Sequence, residues 1–409
     1  MKSITKVLFI SYDGMTDPLG QSQVLPYIAG LTKHGFEFHL ISFEKMDRFA
    51  EHKRHIRSYC KEHNIFWHPQ DYHNSRGLRK TVGKVRRMRK IAFYLNEQHN
   101  FSIVHCRSYI TCLVGLKLKR KFDMKLVFDM RGFWPDERVD GKLWNLSNPI
   151  YRIIYNFFKK KEKEVLLAAD YTVSLTENGK NEILSWKELA HKLPEIEIIP
   201  CCVDLELFDP NKITEEGKTE LRAEIGLKDG AYILGYVGSI GTWYMLAEML
   251  DYFRVLKESN ASAKFLFISG ESPEMIKSEA IKRGVDPADV YIKSTLHSGV
   301  PLHISLFTKS IFFIRATYSK KASSPTKQAE IMAMGIPLVC NSGVGDTDLI
   351  IERYESGDII HTFDDESYRQ SISNPRKFNT EKVKAGAEDY FSLEQGVERF
   401  LRIYKHVNG

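Results

Sequence analysis

Short runs of Val, Ile, Phe and Leu alternate along the whole chain with longer stretches in which apolar residues recur every three or four positions. Strands of a parallel sheet are buried on both faces and read as continuous apolar runs, so this alternation predicts βα units around parallel sheets. In the first half strands are expected at 7–12, 38–42, 65–68, 103–106, 126–129, 171–174 and 197–200. In the second half they are expected at 233–237, 264–269, 290–292, 311–314, 337–340 and 358–360. Helical spacing fills most of the gaps, as at 22–34, which runs up to Gly35, a natural C-terminal stop. A segment near 200–212 contains Pro200 and Pro210, starts without apolar periodicity and reads as a linker. The final stretch 393–407 carries Leu393, Val397, Phe400, Leu401 and Tyr404 at helical spacing, an apolar stripe that has to dock on something.

A chain of 409 residues is too long for a single core and comfortable for two. With 43% hydrophobic and 27% charged residues it falls outside the collagen-like, disordered and membrane-spanning classes. The opening apolar run is too short for a signal peptide, and no stretch approaches the length of a membrane span, so the expectation is a cytoplasmic protein. Cys60, Cys106, Cys112, Cys201, Cys202 and Cys340 form no CxxC pair and stand at no zinc spacing with His, so neither disulfides nor a metal are expected. Charge is unevenly spread. Residues 1–205 hold 34 Lys and Arg against 23 Asp and Glu, net +11, whereas 206–409 hold 25 against 29, net −4. The excess concentrates in the stretch 77–90, at Lys117, Lys119, Arg120 and Lys121, and at Lys159, Lys160, Lys161 and Lys163. Solvated helix faces account for such runs, and so does a surface for an anionic substrate, an anionic bilayer or nucleic acid.

Polar residues with chemical potential gather after predicted strands, where ligands bind in open α/β sheets. Asp13, Gly14, Asp17, Pro18 and Gly20 follow the first strand, in a loop without the GxGxxG or Walker pattern. HCRSY (105–109) and FDMRGFWPDERVDG (128–141) add Arg107, Asp129, Arg131, Asp136, Glu137 and Arg138 on the same rim. Guanidiniums there suit bidentate recognition of phosphate or carboxylate, and an internal Arg–carboxylate network is the alternative. Phe133 and Trp134 stack on a ligand or fill the core. In the second half LGYVGSIGTWYML (234–246) opens a strand into a turn with Gly238, Ser239, Gly241 and Thr242, where backbone can approach a phosphate closely. Finally, 315–340 gathers Arg315, Lys320, Lys321 and Lys327 around a helix start marked by Ser323, Ser324, Pro325 and Thr326. Lys327 and Glu330 then share one side of that helix, a candidate diphosphate clamp with an acceptor for sugar hydroxyls one turn on.

DGMTDPLGQSQVLPY, DMRGFWPDERVDG, IIPCCVDLELF, YVGSIGTWYML and SSPTKQAEIMAMGIPLV, in this order and spanning most of the chain, resemble glycosyltransferase family 4 and, within it, a branch of bacterial polysaccharide enzymes. The resemblance implies an α/β protein of GT-B class, two doubly wound Rossmann-like domains with a C-terminal helix crossing back to the first. It assigns 1–205 with 390–409 to an acceptor-binding domain and 206–389 to a nucleotide-sugar donor domain. It implies transfer of a hexose or N-acetylhexosamine from a UDP- or GDP-sugar to a glycan or lipid-linked glycan, with retention, no cofactor and no metal. The partners are then the nucleotide sugar, the acceptor and an anionic membrane surface, without nucleic acid. Arg107, Arg131, Asp136, Glu137 and Arg138 are the expected catalytic set. Gly20, Gly238, Ser239, Gly241, Thr242, Arg315, Ser323, Ser324, Thr326, Lys327 and Glu330 are expected at the donor. The family commonly has two glutamates eight positions apart; Glu330 matches the second, the ribose-binding one, but Ala322 stands at the first. Ser239 stands where the family carries an Arg, and Lys327 and Arg315 are the candidates to replace that charge. A GT-B nucleotide-sugar epimerase and a basic, non-catalytic binding protein for membrane or nucleic acid are the rival readings.

Overall fold

The computed structural model describes residues 4–72, 78–374 and 377–409; Gly77, which opens the basic stretch 77–90, lies outside them, as do the side chains of 78–80. The chain divides into two compact units, Met1–Pro200 with Leu393–Gly409, and Cys201–Ser392. In the first, seven strands, β1 Thr5–Ser11, β2 Phe36–Glu44, β3 Ile65–Asp71, β4 Ile103–Arg107, β5 Lys125–Asp129, β6 Tyr171–Ser174 and β7 Ile196–Ile198, pair in the order β3-β2-β1-β4-β5-β6-β7. All neighbours are parallel. The apolar runs of the sequence become the sheet interior, with Val7, Leu8, Phe38, Leu40, Ile103, Val104, Leu126 and Phe128 inaccessible to solvent.

The second unit repeats the plan with six parallel strands, β8 Ile233–Val237, β9 Lys264–Ile268, β10 Val290–Lys293, β11 Lys309–Phe312, β12 Leu338–Asn341 and β13 Gly357–Ile360, ordered β10-β9-β8-β11-β12-β13. In both units the chain steps outward through three strands and then returns to the other side of the first. The reversal leaves a crevice at the carboxyl ends of β1 and β4, and again of β8 and β11, because the connections on either side lead to opposite faces of the sheet.

Two boundaries differ from the sequence pattern for reasons of proline chemistry. The helix expected at 22–34 is two helices, Pro18–Gln23 and Leu25–Thr32, broken at Val24. Pro26 has no N–H, and its ring clashes with the carbonyl four residues back, so the helix restarts with the proline in its first turn. Strand β7 ends at Ile198 instead of continuing to Pro200, which cannot donate to a ladder.

The terminal helix Leu393–Asn408 buries Val397, Phe400, Leu401, Tyr404 and Val407 within the first unit. Its partner is the helix Leu25–Thr32, where Gly30 leaves room for Val397: a Cβ on Gly30 would lie 2.6 Å from a Val397 methyl. Phe400 meets Tyr27 edge to face at 5.6 Å, and the Tyr404 hydroxyl lies 2.7 Å from Nδ1 of the buried His105 on β4. Among the described residues no helix is long and apolar enough to cross a membrane. Because the contact at Gly30 has no slack, Gly30→Val should cost about 1–3 kcal/mol through overpacking. Chemical denaturation should show a lowered midpoint, and an unchanged midpoint would mean that the terminal helix is not seated on this glycine.

Candidate functional site

In the second unit the crevice is organised by a turn that only glycine makes without strain. β8 ends at Val237, and Gly238 follows with φ of +102°. The connection after it is tied to the one after β11: Tyr244 and Ile314 form an antiparallel bridge, Met245 N–H donates to Phe313 O at 2.9 Å, and Arg315 N–H donates to Trp243 O at 3.0 Å. The two loops flanking the strand reversal thus clasp each other.

Lys327, in the first turn of the helix Thr326–Ala333, reaches into this clasp. Its ammonium donates to the Tyr236 hydroxyl at 2.8 Å and lies 3.9 Å from the Tyr236 ring centroid and 3.5 Å from that of Tyr244. Tyr236 in turn donates to Ser239 O at 2.6 Å. A Cβ on Gly238 would sit 3.4 Å from the Lys327 nitrogen, so the amine lies directly against the glycine turn. Burial holds the Lys327 pKa well below the usual lysine range, with Glu330 pulling the other way. The two ring faces also favour the charged form.

Glu330, one turn further on, lies 3.1 Å from His297 Nε2. That contact raises the His297 pKa against the effect of burial. Lys320 is also buried, its ammonium 3.8 Å from the Trp243 ring centroid. Ser239, Gly241, Thr242 and Arg315 are exposed, while Ser323 and Thr326 are half-buried. No side chain caps the helix, whose N-cap is Pro325; the Ser324 hydroxyl accepts instead from Cys201 N–H at 3.1 Å. The sequence pattern did not point to Tyr236, Tyr244, His297 or Glu271. Glu271 Oε1 accepts from the backbone N–H groups of Ile240 at 3.1 Å and Gly241 at 3.3 Å. The first two tyrosines flank the glycine turn in sequence, and that adjacency was the available signal.

The first unit builds its crevice differently. Arg107 ends β4 and Asp129 ends β5, both buried, with Arg107 Nη1 donating to Asp129 Oδ2 at 3.2 Å. Arg131 Nη1 approaches Oδ1 of the same carboxylate at 3.8 Å, and His105 Nε2 approaches Oδ2 at 3.8 Å. Burial would raise the Asp129 pKa, but Arg131, His105 and Arg107 together bring it down to about 2. The backbone beside this cluster is strained: Ser108 has φ of +68° and Arg131 +58°, left-handed values that cost a non-glycine residue about 1–3 kcal/mol.

Asp136, Glu137 and Arg138 lie on the short helix Trp134–Asp140, and Asp136 turns inward. It accepts from Tyr155 at 2.7 Å and from Lys159 at 2.9 Å; Lys159 also pairs with the fully buried Glu162 at 2.5 Å, which accepts from Tyr109. Asp136 therefore belongs to a buried ionic network apart from the Arg107–Asp129–Arg131 cluster. Glu137 is half-buried, and the Arg138 guanidinium stacks on Trp134 at 5.2 Å. Phe133 fills the core.

Gly20 lies in the first unit, buried so closely that a Cβ would meet Gly14 O at 2.2 Å. In the loop just before its helix, the N–H groups of Met15 at 2.8 Å and Thr16 at 3.0 Å donate to the buried Glu44, last residue of β2. Glu271 plays the corresponding part in the second unit. In each sheet a carboxylate at or just beyond the end of the second strand holds amides of the loop that follows the first.

Residues 22–207 match the family model of Glycosyltransferase Family 4, and residues 217–374 match that of Glycosyl transferases group 1. Three solved structures similar over nearly the full length illustrate the fold. A sucrose-phosphate synthase from Thermosynechococcus elongatus is 12% identical over 98% of this chain and 99% of its own, with a TM-score of 0.69. A glycosyltransferase from Rickettsia africae is 15% identical over 98% of each chain, with a TM-score of 0.69. HepE from Anabaena, solved with UDP and glucose, is 12% identical over 98% of this chain and 99% of its own, with a TM-score of 0.68. No curated protein matches. The two parallel-sheet units have the GT-B architecture.

Removing one member of a buried ionic network leaves its partners uncompensated, which costs about 3–5 kcal/mol. Asp136→Ala should therefore lower stability on that scale in urea unfolding. Arg138→Ala, which loses one stacking contact, should cost about 1 kcal/mol or less. Equal stability of the two variants would show that Asp136 is not a structural member of the first unit.

Proposed function

Because the chain belongs to the GT-B glycosyltransferases, joining a family 4 first half to a group 1 second half, we propose that it transfers a hexose or N-acetylhexosamine from a UDP- or GDP-sugar to a glycan or lipid-linked glycan. One observation carries the donor assignment: the Lys327 ammonium, held by two tyrosines, lies against the Gly238 turn beside an uncapped helix start. A diphosphate there would meet a lysine whose charge is poorly solvated, so the anion replaces water as its partner and the attraction is strong. Glu330, one turn on, is the acceptor for ribose hydroxyls. The UDP bound to the Anabaena relative makes UDP the first nucleotide to test.

In the transfer the bond from the anomeric carbon to the diphosphate oxygen breaks, and a bond to the acceptor oxygen forms on the same face. The acceptor proton passes to the departing phosphate oxygen, so no enzyme nucleophile is required. The protein contributes position and the positive charge that stabilises the leaving group. Arg107 and Arg131 serve the acceptor, with Asp129 fixing their guanidiniums. Lys327→Ala and Glu330→Ala should each lower kcat/KM about 10- to 100-fold, the loss of a charged hydrogen bond worth roughly 1.5–3 kcal/mol. Arg131→Ala should lower turnover while changing UDP or GDP affinity, read by calorimetry, less than threefold. Wild-type kinetics in the first two variants, or a large loss of nucleotide affinity in the third, would overturn this division of labour. Product formed from the sugar nucleotide alone would replace transfer with epimerisation.

The lipid-linked form of the acceptor is supported by the helix Pro149–Ala168, on which Ile150, Ile153 and Phe157 are 60%, 68% and 45% exposed. Their spacing makes one apolar stripe, accompanied by the exposed Arg152 and Lys160, the composition of a helix that lies in an anionic interface. The protein should sediment with phosphatidylglycerol vesicles at low salt, and Ile153→Asp should reduce that binding several-fold. Equal binding to neutral vesicles, or none at low salt, would remove the membrane from this reading.

A further inference from the structure

At the start of β2, away from the strand ends discussed so far, the fold assembles a cluster that sugar transfer does not use. Strand alternation turns Glu37 and His39 to one face of the sheet. His39 is buried there, with Phe66 stacked on it at 4.6 Å and Phe101 edge-on at 5.0 Å. Its two ring nitrogens have different neighbours: Nδ1 lies 3.1 Å from Nε2 of His68 on β3, and Nε2 lies 3.3 Å from Glu37 Oε1. His99, the last residue of the helix Leu78–His99, adds a third imidazole whose ring centroid is 4.0 Å from that of His39. One donor atom each from Glu37, His39 and His99 all fall within 4.8 Å of one another.

We propose that Glu37, His39 and His99 form a binding site for a divalent transition-metal ion, zinc in the first place, with His68 as the outer partner that orients His39. Two imidazoles and a carboxylate are a recurring zinc donor set, and they leave a fourth position for water. The 3.3 Å between His39 Nε2 and Glu37 Oε1 matches the edge of a tetrahedron with metal–ligand bonds of about 2.0–2.1 Å. The three donor atoms lie within 4.8 Å of one another, so closing the rest of the site requires His99 to move inward, which its half-buried position permits. His68 supplies the second contact that ligating histidines characteristically make through their other nitrogen.

Three imidazoles crowd one carboxylate whose cationic neighbour is Lys6, 3.6 Å away and part-exposed, able to swing into solvent when a dication arrives. A bound ion would tie the C-terminal end of the helix Leu78–His99 to the edge half of the first sheet. Its role would be structural, and it stands independently of the donor site.

The test uses tag-free full-length protein, stripped with EDTA, re-equilibrated with zinc chloride and desalted. Mass-spectrometric metal analysis should find close to one zinc per chain, and thermal unfolding should shift upward by several degrees with zinc but not with magnesium. His99→Ala and Glu37→Gln should each abolish both effects, and His68→Ala should weaken zinc affinity about 10- to 100-fold. His55→Ala, a change outside the cluster, should alter neither. Cobalt(II) should give a visible absorption band that His99→Ala removes. Zinc content or thermal shift no greater in wild type than in Glu37→Gln or His99→Ala overturns the proposal and leaves the cluster as stacked core histidines. If His99→Ala fails to fold, Glu37→Gln, altered at a part-exposed side chain, decides the matter alone.

Discussion

A parallel strand covered on both faces can hold a polar side chain only where a partner is built beside it, so most polar groups sit at the strand ends. This constraint governs both units. The interiors of β1, β4 and β8 are mainly apolar, with the buried His105 and Tyr236 each partnered, and most groups that can do chemistry leave the sheets where the strand order reverses: Arg107, Asp129 and Arg131 in one unit, Lys327 and Glu330 beside the Gly238 turn in the other. The crevice at each reversal needs no separate explanation, because it follows from connections leading to opposite faces.

Charges brought to such a rim lose water and must be compensated. The two units compensate in different ways. In the first, one deeply buried carboxylate, Asp129, organises two guanidiniums and an imidazole, and the attraction is strong enough to override its own burial. In the second, the Lys327 amine has aromatic faces and a hydroxyl in place of a paired carboxylate. An ion pair satisfies its members, whereas an amine held only by rings and a hydroxyl keeps its capacity for an anion, and that difference is the physical basis for proposing the diphosphate site in the second unit.

The backbone of the two loops is also prepared. Glu44 and Glu271 hold amides at the corresponding place in each sheet. Glu44 is buried within a network that includes Thr16 and Ser42, so its loop is a fixed part of the scaffold. Glu271 is half-buried and holds the exposed side of the glycine turn. The same topological slot thus serves rigidity in one unit and loop positioning beside the Lys327 cage in the other.

The sequence by itself determined the class of fold, because burial on both faces of each strand writes a local, readable pattern. It also determined the glycine turn at Gly238, the helix beginning near Thr326 and the apolar stripe of the terminal helix, all of which depend on residues within a few positions of one another. Pro200 and Pro210 were legible as linker markers, but the breaks at Val24 and after Ile198 were not read from the sequence, because they depended on where the helix or ladder needed an N–H. Which polar groups meet was decided by tertiary structure alone. Lys327 finds Tyr236 across 91 positions because β8 and β11 are neighbours in the sheet, a fact of strand order that local patterning does not carry. Asp136 shares a sequence motif with Arg131 yet turns to Lys159, since the short helix that carries it, Trp134–Asp140, rotates it inward. Glu37, His39, His68 and His99 have no motif spacing at all and come together only because β3 lies beside β2 and a helix ends above them. Local periodicity records whether a residue is buried; crossovers and strand order decide what it is buried with.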